Sequence, residues 1–373
     1  PIAIGLGGGG SGLPTMLCTI ASLNTILVCI LHFGIIGCVQ RALTLIPCLK
    51  KNQNMITRVL KSIGWSLLDL ILFLILSAVI LLILFGLLSL VGLHPFSSIS
   101  IGNIDEQTSP YPMLLINYLP LLIAFVGASL LTHFKVFHRS YGALGYNMTK
   151  AGGLFGRGWL WSLIMVLPGF FILWGAHQLA MLPFSWHWGF VVGYLLFFLV
   201  QSAGEEVLTR AYLISMLETR LGTIVAIVLS GSLFAVLHIG NDHFTWIGFV
   251  NILLGGFIMA LLFVEYRSIW VCTGYHAGWN FLQAGLLDFN VSGVDVYSLV
   301  QWKDIGYPRL TGSSFGYEGS LVAVLLQGVL LAYLLKNNSI ELNNPFTNSN
   351  VQEVLPADND YDTLISDEVK TES

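Results

Sequence analysis

Residues 188–210 read WGFVVGYLLFFLVQSAGEEVLTR and decide the class to which this protein belongs. The first part of this stretch contains no Asp, Glu, Lys or Arg and is almost entirely apolar. Such a run approaches the ~20 apolar residues that cross a lipid bilayer as one helix. Glu205, Glu206 and Arg210 follow it directly. Ionisable side chains at a membrane helix are costly, so this group is a functional hypothesis from the outset.

The composition of the whole chain agrees with that interpretation. Of 373 residues, 55% are hydrophobic and only 10% are charged, whereas soluble domains carry about 25% charged residues. A soluble globular protein is therefore excluded. The high apolar content also excludes a disordered chain, and five cysteines are too few for a disulfide scaffold. No basic stripe of the kind that binds nucleic acid is present, so nucleic acid is not expected as a partner.

Apolar runs of similar length recur along the chain. About nine of them are long enough to form membrane helices, and their continuity differs from the alternating pattern of membrane β-barrel strands. They cover residues 16–39, 63–93, 112–132, 159–181, 188–203, 222–239, 246–264, 268–287 and 319–335. The sequence predicts an all-α fold, a polytopic bundle of about eight to nine transmembrane helices, in a multi-pass protein of the cell membrane.

The chain divides into three predicted parts. Residues 1–132 form N-terminal transmembrane helices without a motif, residues 133–335 form a membrane core with the polar motifs, and residues 336–373 form an acidic tail. The tail holds eight acidic residues against two basic ones, which predicts disorder.

Positive charge predicts the orientation in the membrane. Residues 40–62 and 133–158 contain Lys and Arg but no Asp or Glu, which is typical of cytoplasmic loops. Residues 94–111 contain only acidic charges and are expected outside the cell. Alternation of the helices then predicts a cytoplasmic acidic tail.

The charged group after residue 203 has a defined helical geometry. Glu206 and Arg210 are four residues apart, acid first, and are expected to form an ion pair on one helix face. Glu205 points about 100° away from Glu206, so it is expected to have no local partner. Asp69, within the second apolar run, is predicted to be isolated with a structural or water-facing role. Gly152 and Gly156 have a spacing typical of close helix packing.

Two histidines in later apolar runs are expected to approach Glu205. A helical hairpin that turns at Gly222 brings Glu205 and His238 to the same depth, ~25 Å from the turn. His276 lies only ~15 Å from a turn at Arg267, so the first hairpin is expected to protrude roughly 10 Å further into the cytoplasm. Spacing of four residues places Asn280 on the same face as His276, and Phe234 on the same face as His238.

Each of these residues also has an ordinary interpretation. A Glu206–Arg210 pair is more often a structural strut, and a histidine at a helix end is often interfacial. His276 alone fits a core histidine, and Asn280 alone fits a contact between helices. The functional hypothesis depends on Glu205, His238, His276 and Asn280 occurring together on three spans.

The combination resembles a known family. Glu205-Glu206-x-x-x-Arg210, Phe234-x-x-x-His238 and His276-x-x-x-Asn280 are similar, in order, to the three motifs of the CPBP family of intramembrane proteases. This family includes type II CAAX prenyl endopeptidases, bacteriocin-processing proteins and abortive-infection proteins. The resemblance covers about residues 139–335, which would make residues 133–335 a CPBP-like catalytic core.

The resemblance implies hydrolysis of peptide bonds inside the membrane. Glu205 would act as general base on a water molecule that His238 helps to hold, and His276 and Asn280 would stabilise the oxyanion. Glu206 and Arg210 would brace the helix and orient Glu205, and Phe234 and Asn241 would support the site. The implied substrates are membrane proteins, lipidated CAAX proteins or leader peptides within the bilayer.

Three alternatives stay open. A metal-free glutamate protease without cofactor is favoured, but Glu205, His238 and His276 are also the residues that a zinc-dependent protease would use. Intramembrane carboxylates and histidines also occur in proton-coupled transporters. The third alternative is an inactive family member that serves as an immunity or scaffold protein.

Overall fold

The structure is a computed structural model that describes residues 35–93, 110–136, 141–184 and 188–337. Most of the predicted run at 16–39, most of the loop at 94–111 and the acidic tail after residue 337 lie outside the described residues. The chain forms two compact units, residues up to Leu67 and residues from Leu68 onward. In the first unit, the described residues, 35–67, are helical.

Nine helices and two short strands make up the part of the chain that the structure describes. The helices are α1 (Ile35–Leu90), α2 (Pro110–His133), α3 (Ala151–Gly175), α4 (Trp188–Leu221), α5 (Thr223–Leu237), α6 (Trp246–Tyr266), α7 (Ile269–Asn280), α8 (Pro308–Thr311) and α9 (Leu321–Asn337). The strands β1 (Leu179–Met181) and β2 (Trp302–Asp304) pair antiparallel, with Ala180 opposite Lys303. The predicted all-α class is confirmed.

Five of the described helices are long and apolar enough to cross a membrane: α2, α3, α4, α6 and the Ile56–Leu90 part of α1. This supports a multi-pass membrane protein, but it is fewer than the predicted eight to nine spans. The runs at 222–239 and 319–335 form apolar helices of only 15 and 17 residues. The run at 268–287 forms α7, of 12 residues, and then a π-helical turn at Phe281–Leu286.

Helices α2 and α4 also contain π-helical turns, which are wider than an α-helix by one residue per turn. In α2 one covers Met113–Tyr118, and a second, Leu131–Val136, begins at the end of α2 and extends beyond His133; in α4 the turn covers Val207–Tyr212. Such turns are often found at functional sites. The turn in α4 begins immediately after Glu206, so it changes the directions of the residues that follow.

Helices α3 and α7 pack with their backbones in contact at glycines. A Cβ atom would lie 2.0 Å from the Val271 carbonyl oxygen at Gly158, and 2.1 Å from the Phe155 carbonyl oxygen at Gly274. No atom of the described residues lies within 4 Å of a Cβ added at Gly152 or Gly156. Close packing at those two glycines was therefore a wrong prediction, because their side of α3 faces open space.

Two tight turns order the helices around the candidate site. Gly222, with φ of 89°, separates α4 from α5, as predicted, and Arg267, with φ of 45°, ends α6. The Glu218 carboxylate accepts hydrogen bonds from the Arg267 guanidinium and, at 2.8 Å, from Thr223 Oγ1. The two turns therefore lie side by side. The sequence predicted that the first hairpin protrudes roughly 10 Å beyond the second turn, and the pairing of Glu218 with Arg267 joins the two hairpins near their turns.

The C-terminal half of α1 packs against α4. The Phe73 and Tyr212 rings stack with their centroids 4.1 Å apart, and the Tyr212 hydroxyl donates to the Asp69 carbonyl oxygen at 2.7 Å. The Asp69 carboxylate pairs with Arg220, and both side chains are largely buried. Asp69 is therefore not isolated, since α4 supplies its counter-charge.

Candidate active site

A cavity of about 660 Å³ lies within the second unit. Glu205, His238, His276 and Asn280 line it, together with Phe234. Much of the remaining wall is apolar and comes from α1, α2, α4, α6 and α7. The structure thus brings the four predicted catalytic side chains to one space.

The π-helical turn of α4 is held by hydroxyl groups. Thr209 Oγ1 donates to the Glu205 carbonyl oxygen at 2.6 Å, and Ser230 Oγ on α5 donates to the Thr209 carbonyl oxygen at 2.7 Å. These bonds fasten the segment that carries both glutamates to the neighbouring helix.

The two carboxylate oxygens of Glu205 differ, because one accepts a hydrogen bond and the other has no partner among the described residues. Gln201 Nε2 donates a hydrogen bond to Glu205 Oε1. Glu205 Oε2 has no hydrogen-bond partner among the described residues, and it lies 3.9 Å from His238 Nε2 and 3.8 Å from His276 Nε2. The side chain is 32% exposed. The prediction that Glu205 has no local partner is wrong, since Gln201 lies one helical turn before it.

His238 directly follows the last residue of α5, and one of its ring nitrogens is hydrogen-bonded. Its Nδ1 lies 2.7 Å from the Phe234 carbonyl oxygen, which accepts but cannot donate. This assigns the proton to Nδ1 and leaves the Nε2 lone pair facing Glu205. The Phe234 ring is in edge contact with the His276 ring, with centroids 5.4 Å apart, and carries the Arg210 guanidinium 4.5 Å from its centroid.

Glu206 and Arg210 form the predicted ion pair, at 3.0 Å, with both side chains 0% exposed. The same oxygen, Glu206 Oε1, lies 2.8 Å from His276 Nδ1. Arg210 also donates to Thr209 Oγ1 at 2.6 Å and to the Gly256 carbonyl oxygen at 3.2 Å. Glu206 therefore contacts His276, whereas the sequence predicted that it acts on Glu205.

Asn280 joins the site through Gln201. Asn280 Nδ2 donates to Gln201 Oε1 at 3.0 Å, so Gln201 connects α7 to the Glu205 carboxylate. The sequence interpretation missed Gln201, although its spacing of four residues before Glu205 was a usable signal. Asn241 lines the cavity, and its backbone N–H donates to the His238 carbonyl oxygen at 3.2 Å.

The zinc alternative can be compared with this geometry. A tetrahedral zinc ion with normal bond lengths holds neighbouring ligand atoms about 3.4 Å apart. Glu205 Oε2 lies 3.9 and 3.8 Å from the two imidazoles, and the described residues contain no group of three His, Cys, Asp or Glu side chains arranged to hold a metal ion. In this structure the three side chains are spaced more widely than the ligands of a tetrahedral zinc ion.

Comparison with known proteins identifies the segment that carries the site. A family model described as Type II CAAX prenyl endopeptidase Rce1-like matches residues 186–282. The match includes all three motifs, from Glu205 to Asn280, and is shorter than the interval 139–335 over which the sequence resembles the family. No curated protein matches the chain. Residues 186–282, which carry the site, are therefore similar to the Type II CAAX prenyl endopeptidase Rce1-like family.

Proposed function

We propose that this protein is an intramembrane endopeptidase that hydrolyses peptide bonds with a water molecule activated by Glu205. One observation carries the proposal. Glu205 Oε2, which has no hydrogen-bond partner among the described residues, faces the Nε2 atoms of His238 and His276 inside the cavity.

The spacing of these acceptor atoms suits a bound water. A water about 2.8 Å from Glu205 Oε2 and from His238 Nε2 would span their separation of 3.9 Å. It would donate one hydrogen to each atom, because both are acceptors in the assigned tautomer. Such a water is oriented and polarised before a substrate enters.

The reaction then follows general base catalysis. Glu205 takes a proton from the water while the water oxygen forms a bond to the carbonyl carbon of the substrate. The tetrahedral intermediate collapses when the bond from carbon to nitrogen breaks and Glu205 returns the proton to the leaving amine. The products are a carboxylate and an amine, and no covalent enzyme intermediate forms.

His276 and Asn280 are proposed to stabilise the oxyanion of that intermediate. Glu206 holds Nδ1 of His276 at 2.8 Å and would stabilise the imidazolium, whose Nε2–H is then available as a donor. Asn280 donates to Gln201 with Nδ2, which carries a second hydrogen for the oxyanion. Glu206, Arg210 and Gln201 are positioning residues in this mechanism.

The properties of the cavity favour substrates that lie in the lipid bilayer or at its surface. Its lining is mainly apolar, and helices long enough to cross a membrane contribute to it. A membrane-associated peptide chain, whether lipidated at a CAAX-type terminus or part of a leader or bacteriocin precursor, would bury its apolar groups there. We propose this substrate class without choosing between its members.

A cleavage assay tests the proposal. The full chain in proteoliposomes is incubated with a library of membrane peptides, and products are read by mass spectrometry. Glu205→Gln and His238→Ala should each reduce cleavage by at least about 100-fold. Glu265→Gln, an exposed glutamate that does not line the cavity, is the matched control and should cleave normally.

Two results would contradict the proposal. Near-normal turnover by Glu205→Gln and His238→Ala would remove the mechanism. Absence of cleavage by the folded wild-type protein, together with ion or solute uptake that Glu205→Gln alters, would favour the transporter alternative.

A further inference from the structure

Three further polar side chains line the cavity, and the proposed reaction does not use them. They are Asn251 on α6, Tyr275 on α7 and Gln327 on α9, and all three are at least nine-tenths buried. Among the described residues, Asn251 Nδ2 and Oδ1, the Tyr275 hydroxyl and Gln327 Oε1 have no hydrogen-bond partner. We call these three residues the amide subsite.

The backbone makes room for this group at Gly255. A Cβ atom at Gly255 would lie 3.1 Å from Gln327 Oε1 and 3.6 Å from its Nε2. Gly255 is one helical turn after Asn251, so the Gln327 carboxamide lies beside the face of α6 that carries Asn251. Tyr275 is fixed by its ring, which stacks on Trp279 at 17° with centroids 6.3 Å apart.

Such an arrangement is costly without a ligand. A buried polar atom without a partner loses about 1–3 kcal/mol relative to a satisfied one. The neighbouring carboxylate does not relieve this cost, because Glu318 is already bonded to Trp279 Nε1 at 3.1 Å and to Ser292 Oγ at 2.7 Å. The free hydrogen-bonding capacity therefore points to something that enters the cavity.

The chemistry of the lining specifies an uncharged ligand that both donates and accepts. The residues that line the cavity in the described part of the chain include no Lys or Arg, and the acidic side chains among them, Glu205, Asp242 and Glu318, disfavour an anion. A cation would use Asn251 Oδ1 and leave Nδ2 unpaired. A peptide group satisfies both atoms, since its N–H donates to Oδ1 and its C=O accepts from Nδ2.

We propose that the amide subsite binds a main-chain peptide group of the substrate, next to the bond that is cleaved. The inference rests on the proposed function and deepens it. A segment must leave its helix to be hydrolysed, and its freed N–H and C=O groups then lie in an apolar space where each needs a partner. Asn251, Tyr275 and Gln327 supply those partners.

The test uses the full chain in proteoliposomes and a peptide from the library that wild type cleaves and Glu205→Gln does not. Asn251→Leu and Tyr275→Phe should each raise KM by about three- to tenfold, the effect of one lost hydrogen bond. Both variants should also raise Tm of the substrate-free protein, because each removes an unpartnered buried polar group. A role limited to structure would not raise KM and Tm together.

Gln283→Leu is the matched control for burial. Gln283 is 0% exposed and neither polar atom of its side chain has a partner among the described residues, but it does not line the cavity. Its substitution should leave KM unchanged. Tyr333→Phe, on the exposed side of α9, is the control for loss of a tyrosine hydroxyl.

Ester replacement of single peptide bonds in the substrate identifies the group that is bound. At one position, wild type should lose affinity by about three- to tenfold, while Asn251→Leu should lose no more. Unchanged KM in Asn251→Leu and Tyr275→Phe, with cleavage intact, would overturn the inference alone. Insensitivity of wild type to ester at every position would also overturn it. Absence of any cleavage by wild type would instead overturn the proposed function, and this inference with it.

Discussion

Glu206 Oε1 lies 2.8 Å from Nδ1 of His276, although the two residues are 70 positions apart and on different helices. The same oxygen accepts the hydrogen bond from Arg210 at 3.0 Å. Glu206 therefore lies between Arg210, which is permanently charged, and His276. The side chains of Glu206 and Arg210 are both 0% exposed. The Glu206 carboxylate therefore contributes to stability through Arg210 and to the proposed reaction through His276.

Substitutions at this pair should separate stability from activity. Arg210→Met should cost about 3–5 kcal/mol of unfolding free energy, because it leaves the Glu206 carboxylate buried without its counter-ion. The double variant Glu206→Gln, Arg210→Met should recover much of that loss, since no charge is left unpaired. Cleavage should stay low in the double variant, because His276 loses its carboxylate partner. Thermal unfolding in detergent and the peptide assay measure the two effects. Wild-type cleavage by a stable double variant would show that the contact between Glu206 and His276 has no part in the reaction.

Gln201 should affect turnover more than folding. Gln201→Leu removes both the donor to Glu205 and the acceptor for Asn280, so we expect kcat to fall about tenfold with little change in Tm. The Asn280 and Glu205 side chains would remain in the cavity but with free rotation. Steady-state kinetics on one cleaved peptide provide the measurement, with Gln283→Leu as the control outside the cavity. A kcat equal to that of wild type would exclude a positioning role.

Metal removal should not affect the reaction. The spacing of Glu205, His238 and His276 does not fit zinc, so the proposed water is activated by side chains alone. Cleavage should be unchanged after dialysis against EDTA and in the presence of 1,10-phenanthroline. Inhibition by both chelators, reversed by added zinc and not by magnesium, would establish a metal-dependent mechanism instead.

The contact between α3 and α7 predicts opposite effects for two glycines. Gly274→Ala should destabilise the protein by at least about 2 kcal/mol, because the new methyl group meets the backbone of Phe155 and not a movable side chain. Gly152→Ala meets no atom within 4 Å. It should be neutral or stabilise α3 by about 0.4–1 kcal/mol, because alanine lowers the entropy of the unfolded chain. Tm values of the two variants in the same detergent give the comparison, and equal effects would disprove the close approach.

The orientation predicted from positive charge can be tested by labelling. In intact cells, a membrane-impermeant maleimide should modify Asp105→Cys but not Met55→Cys, since segments rich in Lys and Arg remain in the cytoplasm. Labelling after permeabilisation should reach both positions and serves as the control. The reverse pattern in intact cells would invert the topology, including the side of the membrane on which the acidic tail lies.

Much of the candidate site follows from spacing along helices. The four-residue intervals from Glu206 to Arg210 and from Phe234 to His238, and a turn at Gly222, predicted neighbours that the structure brings together. These relationships depend only on helical geometry, which a sequence specifies directly. The contact between Gln201 and Glu205 also follows from a spacing of four residues on one helix. It was not predicted, because the glutamine side chain is uncharged.

The remaining contacts depend on how helices pack, which spacing alone does not determine. The pairing of Glu218 with Arg267 and of Asp69 with Arg220 joins residues from different hairpins. The contact of Glu206 with His276 likewise joins two helices, and the residues are 70 positions apart in the sequence. The number of spans was overestimated because the runs at 222–239 and 319–335 include residues outside their helices, which have only 15 and 17 residues.

The pairing of Glu218 with Arg267 has a consequence for how the length of this chain can vary. This ion pair holds the turn after α4 against the turn after α6, and we call the two paired turns the joint. Helices α4, α5 and α7 extend from the joint to the site residues. Each residue inserted between the joint and a site residue would rotate that side chain by about 100° and shift it by about 1.5 Å. From Glu205 to His238, and from Arg267 to His276, active relatives should tolerate substitutions but not single-residue insertions or deletions. Among active relatives, insertions and deletions should occur in the segments that do not connect the joint to the cavity.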